Sequence, residues 1–327
     1  MTSFNLQPEV QEEYKHWMLS QIVLTKVSNY LKSKGKPSDL KAGLENTLMN
    51  LQPNSETYGQ NLFLKIDSES IKTGFSYVNV NLNETETQHC EVLIKDVALS
   101  AFQNKNSQKA ITLNSESFKI GDFEIKRNPY VDKAFYYVKS QHSDEIAANA
   151  IIKSALRYAT IYAKTRHIGP PQKAYDLFYD WGVRNEGFAS PFNARLLGKP
   201  NAQFHSLFKD TDEIFGSAGS FFTIENPTNN SGYWCLDPPF TKELMSKVDP
   251  VLKHWLTAYN KLKVLLIVPE SYTPQNIPDE TVTLKKDRHY YKGLDGLLKP
   301  LPVNVCVHRY GDFNDFSAEA ILEGYSK

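Results

Sequence analysis

The run Lys263-Val264-Leu265-Leu266-Ile267-Val268 is apolar without alternation. It reads as a strand buried on both faces, the kind that lies at the centre of a parallel sheet. Gly232 to Leu236 is β-like. Between the two, Thr241 to Asn260 carries Leu244, Val248, Leu252, Trp255 and Leu256 at helical spacing. Strand, helix and buried strand in that order make a parallel βαβ unit. Pro170-Pro171 opens a helix bearing Leu177, Phe178 and Trp181, and Gly182 stops it. Val183 to Ala189, Ser220 to Glu225 and Val303 to His308 supply further strands. An α/β domain over residues 170–327 follows.

The strand ending at Leu236 runs straight into Asp237-Pro238-Pro239-Phe240. Proline cannot donate to a sheet ladder, and a residue before proline is pushed out of the helical region. These four residues therefore form a stiff loop at the carboxyl end of a strand, where open α/β folds place their ligands. The loop offers a side-chain acceptor, a backbone carbonyl and a flat apolar ring. A strand stop before a helix explains the prolines, but not the acid before them or the aromatic after. A planar base with an exocyclic amino group would use all three features. Methylating such an amine requires both N–H groups to be held, so that the nitrogen lone pair is freed and aimed. Asp237 and the Pro238 carbonyl are the candidate acceptors, with Pro239 fixing the turn and Phe240 stacking. The base must lie outside any helical stack.

Residues 1–169 read as a separate region. Helical spacing appears over about 8–51 and again over 143–167, where Ser143-Asp144-Glu145 forms a helix start. Between about 60 and 140 the pattern has period two. Phe75, Val78, Val80 and Leu82 suggest one strand, Cys90 to Ile94 another, and Gly121-Asp122 a two-residue hairpin turn. Residues 103–108 read as a loop. This β-rich unit carries no chemical motif and is a candidate surface for a protein partner. Arg157 and Arg166 are within reach of a phosphate, though helix-end charges are the commoner reading.

The chain has 37 basic and 37 acidic residues among 327, so only a local patch could hold a nucleic acid. Lys285, Lys286, Arg288 and Lys292, with His289, Tyr290 and Tyr291 interleaved, form the candidate RNA contact. Cys90, Cys235 and Cys306 stand far apart, and no histidine has metal-ligand spacing, so no metal is expected. The first residues lack the regions of a signal peptide, and no apolar run is long enough to span a membrane. The expectation is an intracellular protein, nuclear or cytoplasmic, without a membrane partner.

A donor site should lie over a neighbouring strand end, and Glu186-Gly187-Phe188-Ala189-Ser190-Pro191-Phe192-Asn193 is the candidate. It combines small residues, hydroxyl and amide groups and one carboxylate. Asp210 and Asp212, followed by Phe215 and Gly216, add acceptors suited to ribose hydroxyls. These segments, the Asp237–Phe240 loop with Glu243-Leu244-Met245, and Ile267-Val268-Pro269-Glu270 occur in one order. In that order they resemble the phosphorylated-CTD-interacting-factor family of mRNA cap-specific adenosine-N6 methyltransferases, over residues 180–310.

The resemblance implies a Rossmann-type class I methyltransferase domain that uses S-adenosylmethionine, with a helical region packed before it; periodicity, not the resemblance, makes this chain's N-terminal region helical and β-rich. It also implies, as substrate, the adenosine next to the cap of an mRNA. This chain departs from the family pattern in having Asp237 where asparagine is usual and a shorter segment after Glu270. It lacks a recognisable WW domain, so no tether to RNA polymerase is expected, and residues 60–140 have no recognised counterpart. Two alternatives stay open: an N6-adenine methyltransferase of internal RNA or DNA sites, and a catalytically inactive binding subunit of the same fold.

Overall fold

The computed structural model describes residues 2–37, 40–51, 53–100, 110–163, 167–293 and 295–327, with the Lys242 and Glu243 side chains left aside. Two compact units are present. One comprises residues 1–127 and 141–164, the other 128–140 and 165–327. The second unit thus starts earlier than the expected 170, taking in residues 128–140.

The first unit contains β1 (Thr2–Asn5), α1 (Pro8–Ser33), α2 (Lys41–Asn50), α3 (Gln60–Leu64), α4 (Ser68–Ser76) and α5 (Glu84–Ser100). After these come β2 (Ala110–Leu113), β3 (Ser117–Ile120) and β4 (Phe123–Lys126), and the chain later returns as α7 (Asp144–Thr160). The four strands form one antiparallel sheet in sequence order. The hairpin at Gly121-Asp122 is present, with Ile120 opposite Phe123. Residues 60–100, expected to be β, are helical instead. Asp67 accepts from the Ser70 N–H at 2.8 Å while the Asp67 N–H donates to the Ser70 hydroxyl. Asn83 and Glu86 form the same reciprocal cap at 2.9 Å each way. These capping boxes start α4 and α5. Along α5 the buried residues are Glu86, Thr87, Cys90, Ile94, Val97 and Ala98, a helical period that overrides the short apolar run.

Helices α2 and α4 cross closely. A Cβ on Gly74 would lie 2.4 Å from the Thr47 backbone nitrogen, so only glycine fits there. Arg157, expected as a phosphate contact, is buried and donates from Nε to both Glu13 carboxylate oxygens at 3.0 and 3.1 Å. Arg166 and the loop at 103–108 lie outside the described residues.

The second unit begins with α6 (Pro129–Lys139), capped by the Asn128 side chain, then α8 (Gln172–Asp180), β5 (Asn185–Glu186), β6 (Gln203–Phe204) and α9 (Lys209–Asp212). It continues with β7 (Tyr233–Leu236), α10 (Lys242–Ala258), β8 (Lys263–Pro269), β9 (Glu280–Leu284), β10 (Tyr290–Lys292), β11 (Leu298–Pro300), β12 (Val305–Tyr310) and α11 (Ala318–Gly324). Ser220 to Glu225, expected as a strand, holds a 3-10 turn at 221–223.

The main sheet has the order β6-β5-β7-β8-β12-β9. Strands β6, β5, β7 and β8 run parallel, and β12 runs antiparallel to both β8 and β9. The expected βαβ unit is β7–α10–β8. Leu265 and Ile267 of β8 join a core containing Phe178 of α8 and Ile321 of α11. Val264, Leu266 and Val268 point to the other face, into a core with Val248, Leu252 and Trp255 of α10. Alternate residues feed opposite faces, so β8 is apolar throughout because both faces are covered. The expected α/β class is therefore present as a doubly covered, mainly parallel sheet.

Candidate active site at the switch point of the sheet

From β5 the chain moves to β6 on one side, then returns to β7 on the other. In an open α/β sheet such a reversal leaves a crevice beyond the carboxyl ends of the two diverging strands. Glu186 ends β5 and Asp237 follows β7. Glu186 lies opposite Cys235, and the Gly187 N–H donates to the Cys235 carbonyl at 2.9 Å. A Cβ on Gly187 would sit 2.4 Å from the Leu236 Cδ2, so a side chain there would force the Leu236 side chain to shift.

Glu186 is buried, and its carboxylate accepts the backbone N–H groups of Arg195 at 3.2 Å and Leu196 at 2.9 Å. Burial pushes its carboxyl up to about 7, against the pull of those two N–H groups and the Arg195 and Lys133 charges. Asp237 is partly exposed. Desolvation, and then the Glu186 charge, push its carboxyl well above the ordinary range, while Arg195 opposes the shift. The strand ends thus bring together two coupled carboxyl groups that resist being ionised together.

Arg195 is the third member of this group, and nothing in the sequence reading singled it out. Its side chain is fully buried. The guanidinium donates to the carbonyls of Pro170 (2.7 Å), Asn193 (2.8 Å) and Lys292 (3.4 Å), and lies 4.0 Å from the Tyr130 ring centre. The available signal was a lone arginine inside the buried run from Phe192 to Leu197.

In the loop itself the Pro239 carbonyl accepts the Thr241 N–H at 2.7 Å. Phe240 is half-buried, and its ring meets Tyr291 edge-on with centres 6.4 Å apart. Tyr291 stacks obliquely on Tyr325 at 5.9 Å. Burial, then the Asp237 carboxylate, raise both phenols well above their usual range. The two hydroxyls couple electrostatically, yet neither makes a hydrogen bond of normal geometry. His289 Nδ1 lies 2.8 Å from the Lys285 carbonyl and so carries the proton. This leaves Nε2 buried and without a hydrogen-bond partner among the described residues, next to the two phenols, whose hydroxyls interact with each other.

The candidate donor segments fall at the carboxyl ends of β5 and β6. Phe192 and Phe215 touch with ring centres 6.5 Å apart, and Ser206 and Ser217 share a 2.7 Å hydrogen bond. The individual residues divide into two groups. Phe188 and Ala189 are half-buried, while Asp210 and Gly216 are exposed. Ser190 and Asn193 are buried and knit the turn together. The Ser190 N–H and hydroxyl donate to Asn193 Oδ1 at 2.6 and 3.0 Å. His167 Nδ1 is 2.8 Å from the Ser190 Oγ, and burial lowers that imidazole to about 4. Asp212 is fully buried and accepts from the Thr211 hydroxyl at 2.9 Å, and Phe215 is core. The first group is accessible from solvent, whereas the second is buried and holds the turns in shape.

In the basic segment Lys285, Lys286 and Arg288 are exposed between β9 and β10, and Tyr290 is half-buried. Tyr291 is core and faces Phe240 rather than solvent. His205 is buried against Trp234, His308 is buried beside Thr281, and His254 is exposed. Among the described residues no group of three His, Cys, Asp or Glu side chains could hold a metal ion, and all three cysteines are free and buried. No described helix is long and apolar enough to cross a membrane.

Residues 133–291 match a family model described as the phosphorylated CTD interacting factor 1 WW domain. The match begins inside α6 and ends in β10, so it contains β5 to β8 and the Asp237–Phe240 loop. No curated protein matches the chain. The expectation that no WW domain tethers this chain finds no support, because the matching model itself carries that description.

Proposed function

We propose that this chain, whose residues 133–291 match the phosphorylated CTD interacting factor 1 model, is an S-adenosylmethionine-dependent adenosine-N6 methyltransferase of that family acting on RNA, with the cap-adjacent adenosine as its substrate. The observation that carries this reading is the position of Asp237-Pro238-Pro239-Phe240. The loop follows β7 at the switch point, facing the end of β5. It also lies inside the family match. On this reading the unit is a Rossmann-type class I methyltransferase domain and the protein is intracellular.

The residues present suit the donor. When bound, S-adenosylmethionine supplies an electrophilic methyl group on a sulfonium. The exposed Asp210 carboxylate would accept ribose hydroxyls, and Phe188 and Ala189 would flank the crevice. Glu186, Ser190, Asn193, Asp212 and Phe215 would act mainly by holding the shape of that wall, with Gly216 on its exposed side. Two carboxyl groups that resist joint ionisation also favour a cationic neighbour.

The adenine amino group would donate one N–H to Asp237 and the other to the Pro238 carbonyl. The Pro239 carbonyl is taken by Thr241, so within the loop the backbone acceptor role falls to Pro238. Phe240 would cover the base, held in orientation by Tyr291. Methylation leaves a proton on nitrogen. In its ionised form the Asp237 carboxylate, already holding one N–H, would be the group positioned to receive it. Lys285, Lys286, Arg288 and Tyr290 would contact RNA from the neighbouring turn, with Tyr291 acting through Phe240.

The test is transfer of labelled methyl groups to matched RNAs beginning with cap-adenosine, cap-guanosine or uncapped adenosine. The proposal expects labelling of the first alone. Equal labelling of capped and uncapped adenosine would remove the cap from the proposal. Absence of donor binding by calorimetry would leave only an inactive binding subunit.

A further inference from the structure

A cavity of about 480 Å³ opens on the second unit, walled by α6, the start of α8, the 197–199 turn and the end of β10. Its lining includes Lys133, Lys199, Lys292, Tyr130, Gln172 and Asp176. Three lysines face one aspartate there. Lys199 pairs with Asp176 at 2.8 Å, so the lining keeps the equivalent of two uncompensated positive charges. The cavity is distinct from the turn carrying Lys285, Lys286 and Arg288.

The lysines are held rather than merely exposed. Lys133 Nζ donates to the Arg195 carbonyl at 3.0 Å and to the Ala194 carbonyl at 3.5 Å, using two of its three N–H groups. Gln172 Nε2 donates to the same Arg195 carbonyl at 3.0 Å and to Asp176 at 3.1 Å. Lys292 Nζ lies 5.1 Å from the Tyr130 ring centre, and the Arg195 guanidinium lies 4.0 Å from it. Two cations already engage that ring, so the cavity presents charge rather than a stacking platform. Its complement is a compact anion.

We propose that this cavity binds phosphate groups of the RNA strand, holding the backbone while the base to be methylated reaches Phe240. The choice of RNA rests on the function proposed above, while the anion site rests on the cavity alone. The connection between the two sites is short. Arg195 supplies a carbonyl to the cavity's Lys133 and its own N–H to Glu186 at the switch point. Lys292 follows Tyr291, whose ring meets Phe240. Burial, then the neighbouring Arg195 and Lys199 charges, lower the Lys133 ammonium to about 8, with Glu186 and Asp176 pulling the other way. A bound phosphate would offset that crowding.

The test measures binding, not methyl transfer. An eight-nucleotide single-stranded RNA and inorganic pyrophosphate are titrated against the full chain and against Lys133→Gln/Lys292→Gln. RNA affinity is expected to fall about tenfold, and the slope of log affinity against log salt to shrink by about 0.7 for each lysine lost. S-adenosylmethionine affinity should be unchanged, as neither lysine lies in the candidate donor wall. Should Lys133→Gln disturb folding, seen as a lowered melting temperature, Lys199→Gln/Lys292→Gln carries the same expectation. Unchanged RNA affinity and salt slope in a folded variant would overturn the inference and leave the proposed function standing. Pyrophosphate binding as tightly as the RNA would reassign the cavity to a free phosphate ligand. If the unaltered chain binds no RNA, the RNA function itself fails.

Discussion

Glu186 ends β5 and Asp237 follows β7, and the Glu186 charge makes Asp237 harder to ionise. Glu186 has a folded-state value near 7, above the 4.5 of an unperturbed glutamate. Its contribution to stability is therefore fully present below about pH 4.5 and is lost as pH rises through about 7, an effect on the order of 3 kcal/mol. Buried His167 and His205, both lowered to about 4, act in the opposite sense. They lose stability as pH falls from about 6.5. Glu186→Gln removes only the first effect. Urea unfolding at pH 5, 6, 7 and 8 should show the chain losing stability relative to Glu186→Gln as pH rises. A constant difference across that range would contradict the buried carboxyl. Replacing the ring at Phe240 should raise the RNA KM of Phe240→Ala about tenfold through lost stacking, a change steady-state kinetics can measure.

At the scale of elements, the capping boxes decide whether residues 60–100 are helix or strand. Asp67→Ala removes the acceptor of the Ser70 N–H and should lower stability by about 1 kcal/mol, with faster amide exchange confined to 68–76. No local change in exchange would argue against the cap. Sequence reading misassigned this stretch because Cys90 to Ile94 is too short an apolar run to separate period two from period 3.6. The deciding signals were polar, Asp67 with Ser70 and Asn83 with Glu86. The β7–α10–β8 unit was readable because β8 is apolar on both faces and α10 is long and periodic. Strand order was not readable. Two-residue strands such as β5 and β6 carry almost no pattern, so the switch point emerges only from their pairing. Within the site, the loop and the carboxylates were legible from local chemistry. Arg195 was not, since its partners are carbonyls of Pro170 and Lys292, far away in sequence. Nor could sequence separate the exposed Asp210 from the buried Asp212, two positions apart.

For the whole molecule, 37 basic against 37 acidic residues mean that no long-range field draws in a polyanion. RNA binding should depend on salt only through the few cations that touch phosphate, giving a slope of magnitude about 4 for the three cavity lysines together with Lys285, Lys286 and Arg288. A much steeper dependence, measured by titration at several salt concentrations, would mean a larger basic surface than the cavity and the 285–288 turn provide. The central claim is narrower still: the loop after β7 transfers a methyl group to the exocyclic nitrogen of adenosine. The most direct measurement is to react cap-adenosine RNA with labelled S-adenosylmethionine, digest it to nucleosides and identify the labelled one. The label should appear in N6-methylated adenosine and should fall at least about a hundredfold with Asp237→Ala. Label at any other position, or N6 labelling that survives Asp237→Ala, would contradict it.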